Sequence, residues 1–244
     1  MLEHIPIHRI LFIDLETIAQ QPSYQQLSPV WQQLWEGRVN QYKPDNIDWD
    51  TYYNEKAAVY AEFSKIVCAS IGYFAKPRNP DEPEIFRIKS FYDHDEPTLL
   101  TGLFEALRKY FSRRAQVYLG GHNIRDFDVP FMARRALINQ IPLPQILDAT
   151  YFKPWEQPYV DTLQLWKFGE FRNLTSLNLI TTALDIPSPK TDLTGREVGH
   201  VYWHDRDLNR IKNYCEADVI AVAQLTRRFK NLPLIANEQI QHVA

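Results

Sequence analysis

Two cysteines, eight glycines and no excess of positive charge are the first things this 244-residue sequence shows by their scarcity. Cys68 and Cys215 build neither a disulfide framework nor a zinc site by themselves. Both fall in apolar-periodic segments, where a small thiol packs into a core. No stretch approaches the length of a membrane span. The opening MLEHIPIHRI has neither the basic start nor the long apolar centre of a signal peptide. The expectation is a cytoplasmic protein with no membrane partner. The formal net charge of -3 advertises no nucleic-acid partner, although an enzyme acting on nucleic acid needs only a local basic path to its site. No internal repeat, low-complexity tract or linker divides the chain, so residues 1–244 read as one α/β domain with its own core.

What is present is apolar (45%) and rich in aromatics (13%). ILFIDLET, residues 10–17, reads as a strand whose Ile10, Phe12, Asp14 and Glu16 share one face. Two like charges ending such a strand repel each other, and burying either one costs free energy unless something positive lies between them. An aromatic-rich insertion occupies about 20–62. In it SPVWQQLWEGRV reads as a helix, with Ser28 as N-cap, Pro29 at the first position and Val30, Trp31, Leu34 and Trp35 on one face. The following NQYKPDNIDWDTYY reads as irregular. Trp31, Trp35, Trp49, Tyr52 and Tyr53 either pack this inserted helix onto the domain or cap a groove.

KIVCASIGYF and EIFRIKSFY read as strands that form a meander with the first. Helices are expected near 96–112, from Phe127 to Asn139, within NLTSLNLITTALDI, and at about 207–230, opened by Asp207. AQVYLGGHN and QPYVDTLQLW supply short strands. The last helix carries an apolar stripe from Leu208 to Phe229, and Asp218 falls near its centre with Tyr214 one turn away. An acid there needs a cation, a hydrogen bond or an arginine partner. Asp128, ahead of Val129-Pro130, has the look of a helix N-cap, and Asp126 that of a solvated loop acid.

FIDLET, HNIRDFD and YCEAD lie in the order and at the separations of the three motifs of the DEDD 3′–5′ exonuclease superfamily. Asp14 and Glu16 match the first motif, Asp128 the second and Asp218 the third, while Tyr214 matches the tyrosine subgroup. Asn123, three residues, then Phe127-Asp128 is the spacing of the exonuclease domains of family-B DNA polymerases. Over about residues 9–230 the chain resembles stand-alone exonucleases related to that domain, and VDTLQLWKFG and LDIPSPKTDLTG extend the likeness. The resemblance implies a ribonuclease-H-like mixed sheet with helices on both faces. It also implies two divalent cations, Mg²⁺ or Mn²⁺, whose charge four carboxylates balance.

Roles follow from the same resemblance. Asp14 would bridge both ions, Glu16 and Asp218 would complete the ion holding the attacking water, and Asp128 would serve the second. Tyr214 would orient that water, although on pattern alone it is equally an amphipathic residue at a helix edge. Asn123 holds the motif-two loop or contacts substrate. Lys190, Arg125 and Arg172 are candidates for phosphate contacts, and Leu15 and Phe127 for wedges at the terminal base. The expected partner is the 3′ end of a single strand, DNA favoured, with nucleoside 5′-monophosphates as products. A polymerase or repair partner could act in trans. The alternatives are an exoribonuclease, a catalytically silent binding module of the same fold, and a hydrolase of small phosphoesters.

Overall fold

The computed structural model describes residues 1–77, 79, 82–112, 116–148, 150–153, 156–172, 174–187 and 192–243. A six-stranded sheet organises them in the order β5-β4-β1-β2-β3-β6. The strands are β1 (Ile10–Ala19), β2 (Ser64–Ala75), β3 (Ile85–Tyr92), β4 (Tyr118–Gly121), β5 (Tyr159–Asp161) and β6 (Ile240–His242). The first three form the expected antiparallel meander. β4 and β5 then add parallel to β1, so the carboxyl ends of β1, β4 and β5 lie at the same end of the sheet. β6, which no local pattern announced, pairs parallel to β3.

Alternation along β1 splits its side chains between two cores. Leu11, Ile13 and Leu15 join the cluster formed with α3 (Glu96–Ser112) and α4 (Asp128–Ile138). Ile10 and Phe12 join Val219 and Val222 of α8 (Leu208–Phe229) on the other face. Each fully buried Phe or Leu contributes about 1.5–3 kcal/mol, which fixes the register, since a one-residue slip would exchange the faces. Close approach on the α8 face also needs Gly72, where a Cβ would sit 2.4 Å from Phe86.

Two expectations in the insertion fail. α1 (Pro29–Val39) forms as expected, but Ser28 makes no side-chain cap and Val30 and Leu34 are exposed. The helix instead buries Trp35 and Val39 against Tyr52, Tyr53 and Phe63. The residues read as irregular run into α2 (Trp49–Lys56), whose start is capped by the Asp48 carboxylate accepting from Thr51 N–H at 2.9 Å. Trp35 is the hub: its ring lies 5.1–6.1 Å from those of Tyr52, Tyr53, Tyr60 and Phe63. Packing of the insertion is therefore largely internal. Three short helices complete the chain: α5 (Thr162–Lys167), α6 (Leu177–Ala183) and α7 (Val198–His200), the last continuing into a π-helical turn at Val201–Asp205.

Candidate active site

Asp14 and Glu16 project from β1 toward α8, with Cys68 and Ser70 of β2 opposite them in the ladder. The register of β1 on β2 shifts between Glu16 and Thr17, a bulge of the kind that bends a sheet beside a site. From α8, Cys215 brings its Sγ within 4.8 Å of both carboxylates, and its thiol donates to the Asp14 carbonyl at 3.4 Å. Burial and contact with Cys68 push the Cys215 thiol up, so it stays protonated beside the acids.

Asp128 and Asp218 close the cluster from two other elements. Asp128 begins α4 and is 3% exposed, but it is not the cap: Phe127 holds that position without a side-chain bond. The Asp128 carboxylate instead accepts from Leu15 N–H, a main-chain donor of β1 beyond the end of its pairing with β4. Asp218, partly exposed, accepts from the Tyr214 hydroxyl one turn earlier.

All four carboxyls are raised. Burial leads for Asp14, followed by repulsion from Asp218 and Asp128. Burial also leads for Glu16, followed by Asp14 and Asp218. Burial holds Asp128 up at about 7 and Asp218 at about 6, the Tyr214 bond pulling the latter partly back. The Tyr214 phenol is raised by burial and by the acids, so it remains a neutral donor. Among the described residues no lysine or arginine pairs with any of the four acids.

The loop that delivers Asp128 is held by a residue the sequence reading passed over. Asp161, at the end of β5, accepts from the N–H groups of Asn123 (2.9 Å) and Arg125 (3.1 Å) and also caps α5. Asn123 is thereby fixed at φ 63°, and its buried Oδ1 has no hydrogen-bond partner among the described residues. His122 spans the same loop, its Nε2 donating to the Thr175 carbonyl at 3.0 Å and its Nδ1 2.9 Å from Thr162 Oγ1. Burial lowers the His122 imidazole, which fits a neutral ring. The signal for Asp161 was present in V-D-T-L, an Asp before a helical start, but it reads first as a strand end.

The remaining substrate candidates scatter. Leu15 is 6% exposed, packed in the core on the face opposite the acids, so it cannot act as a wedge in this conformation. Phe127 is half-buried against Phe131. Arg125 turns toward β5, its guanidinium over the Tyr159 ring, while Arg172 is exposed. Asp126 is exposed, as read. Lys190 lies outside the described residues.

A mixed sheet of this order, with helices on both faces, is the α/β architecture of ribonuclease-H-like exonuclease domains. The chain belongs to the family of predicted 3′–5′ exonucleases related to the exonuclease domain of PolB, whose model matches residues 59–232. Asp128, Tyr214 and Asp218 fall inside that match, while Asp14 and Glu16 precede it. Among solved structures the chain is similar to the family B DNA polymerase from the hyperthermophilic archaeon Pyrobaculum calidifontis. That likeness has 15% identity and a TM-score of 0.56 and covers 91% of this chain and 24% of the polymerase, so it speaks for the fold alone. The chain thus spans about a quarter of that polymerase. A comparison with curated proteins gives no match. Among the described residues no helix is long and apolar enough to cross a membrane.

Proposed function

We propose that this protein is a metal-dependent 3′–5′ exonuclease that hydrolyses the terminal phosphodiester of a single strand, DNA favoured, and releases nucleoside 5′-monophosphates. The observation that carries the reading is the convergence of Asp14, Glu16, Asp128 and Asp218 from three elements with no protein cation among the described residues. Their oxygens suit a hard cation, and Cys215 beside them stays a thiol, so Mg²⁺ or Mn²⁺ fits the donor set. Bound there, two divalent ions would make water nucleophilic and offset charge on the leaving 3′ oxygen.

The chain's own groups do the rest. Asp14 and Glu16 stand on an inner strand of the sheet, and Asp14, which feels both Asp218 and Asp128, would hold a cation together with each of them. Asp128, fixed by Leu15 N–H, would serve the second ion. Asp218, together with Glu16, would serve the first. Tyr214, neutral and one turn from Asp218, would orient an attacking water by a hydrogen bond at its hydroxyl oxygen. Glu16 and Asp128 are buried while Asp14 and Asp218 are half-buried, so electrostatic contacts among them are stronger than in open water.

The test uses 5′-labelled single-stranded DNA and RNA of one sequence with Mg²⁺, Mn²⁺ or EDTA. Metal-dependent shortening from the 3′ end, absent in Asp14→Ala and Asp218→Ala, is expected. No shortening of either strand by folded, metal-loaded protein would overturn the reading.

A further inference from the structure

The segment after α5 keeps large apolar side chains in water. Phe168, Phe171 and Leu174 are 78%, 90% and 75% exposed, whereas every other phenylalanine in the chain is buried or half-buried. Phe168 also has φ 46°, followed by Gly169 at φ 90°. The left-handed backbone of Phe168 closes the C-terminus of α5, its N–H bonded to the Leu165 carbonyl, but its ring, out in water, adds nothing to the core. This segment is tied to the candidate site: its end, at the Thr175 carbonyl, is bonded to His122 beside Asn123, in the loop that delivers Asp128. Lys167 precedes the two rings and Arg172 follows them, with Glu170 between.

We propose that Phe168 and Phe171 form a stacking platform for bases upstream of the terminal nucleotide, with Lys167 and Arg172 against their phosphates. The proposal rests on the exonuclease reading above. An enzyme that removes nucleotides one after another meets every base in turn, and an aromatic face stacks on all of them, because each base has a π-face. Lys167 and Arg172 flank the two rings along the chain, and cations on phosphates add affinity without reading sequence.

The experiment measures the Kd of 5′-fluorescein-dT10, protected by 3′-terminal phosphorothioate linkages, by anisotropy in Mn²⁺. Phe168→Ala with Phe171→Ala is expected to weaken binding by about five- to a hundredfold, and the two Leu substitutions to weaken it comparably. Two Trp substitutions are expected to keep Kd within about twofold. Arg172→Gln is expected to reduce the slope of log affinity on log salt by about 0.7. An Ala double variant with the wild-type melting temperature and a Kd within about twofold of wild type overturns the platform. The unmodified strand separates this outcome from failure of the enzyme reading. Shortening by wild type with unchanged affinity in the Ala variant refutes the platform alone. Phe-dependent binding without any shortening refutes the exonuclease alone.

Discussion

Glu216 and Asp218 stand two residues apart on α8, both acids drawn toward the protein, and their surroundings are opposite. Glu216 accepts from Ser90 Oγ at 2.7 Å, with His242 Nδ1 at 3.0 Å and Lys212 Nζ at 3.5 Å. Asp218 has the Tyr214 hydroxyl and, among the described residues, no lysine or arginine partner. The same division runs through the molecule. Glu96, 5% exposed, is gripped by the Arg135 guanidinium, by Asn139 Nδ2 at 2.9 Å and by Ile66 N–H at 2.8 Å. Asp161 accepts from four main-chain N–H groups. A buried acid supplied with donors belongs to the framework, whereas four brought together without a cation store repulsion that an ion from solution can relieve.

Breaking the framework side should cost most. Arg135→Ala leaves Glu96 buried without its cation, held by Asn139 and Ile66 N–H, with an expected loss of about 3–5 kcal/mol, read by urea denaturation. The site side should respond to metal instead. At saturating Mn²⁺, about a hundred times its Kd, the wild-type protein should gain about 2.7 kcal/mol. Asp14→Asn should lose most of that gain in the same melt.

A smaller effect sharpens the contrast by sign. Asp128 and Asp218 titrate near 7 and 6 in the folded chain, above the carboxylate value of 3.8 expected when unfolded. Between those values the folded state holds more protons, so metal-free stability should fall as pH rises from about 4 to 7. Asp128→Asn keeps an acceptor for Leu15 N–H and removes the charge. It should therefore stabilise the metal-free protein at pH 8 by on the order of 1–2 kcal/mol, with little gain at pH 4 and with activity lost. Removing the corresponding charge on the framework side, by Asp161→Asn, should destabilise instead, by about 1–3 kcal/mol. It should also slow turnover through the Asn123–Asp128 loop.

The parts legible in the sequence are those that local physics dictates. β1 declares itself by an apolar run that ends in two acids, and α8 and α3 by apolar stripes, the former with an acid set on its stripe. What escaped depends on distant partners. α2 holds together because Tyr52 and Tyr53 pack on Trp35, a contact invisible in NQYKPDNIDWDTYY. The exposed face of α1 follows from that same hub. β6 is three residues at a sheet edge, stabilised by β3 and not by its own pattern. At the site, the acids could be named from motif spacing, but Asp161 and Cys215 acquire meaning only when β5 and α8 are placed beside the loop and β1.

Counting bound ions tests the central claim most directly: metal-free protein titrated with Mn²⁺ at pH 7.5, with the free ion read by electron paramagnetic resonance. Saturable binding of up to about two ions per chain is predicted, reduced by Asp14→Asn and weakened at pH 5, where Asp128 and Asp218 are protonated. Folded protein that leaves Mn²⁺ free at millimolar concentration would contradict it.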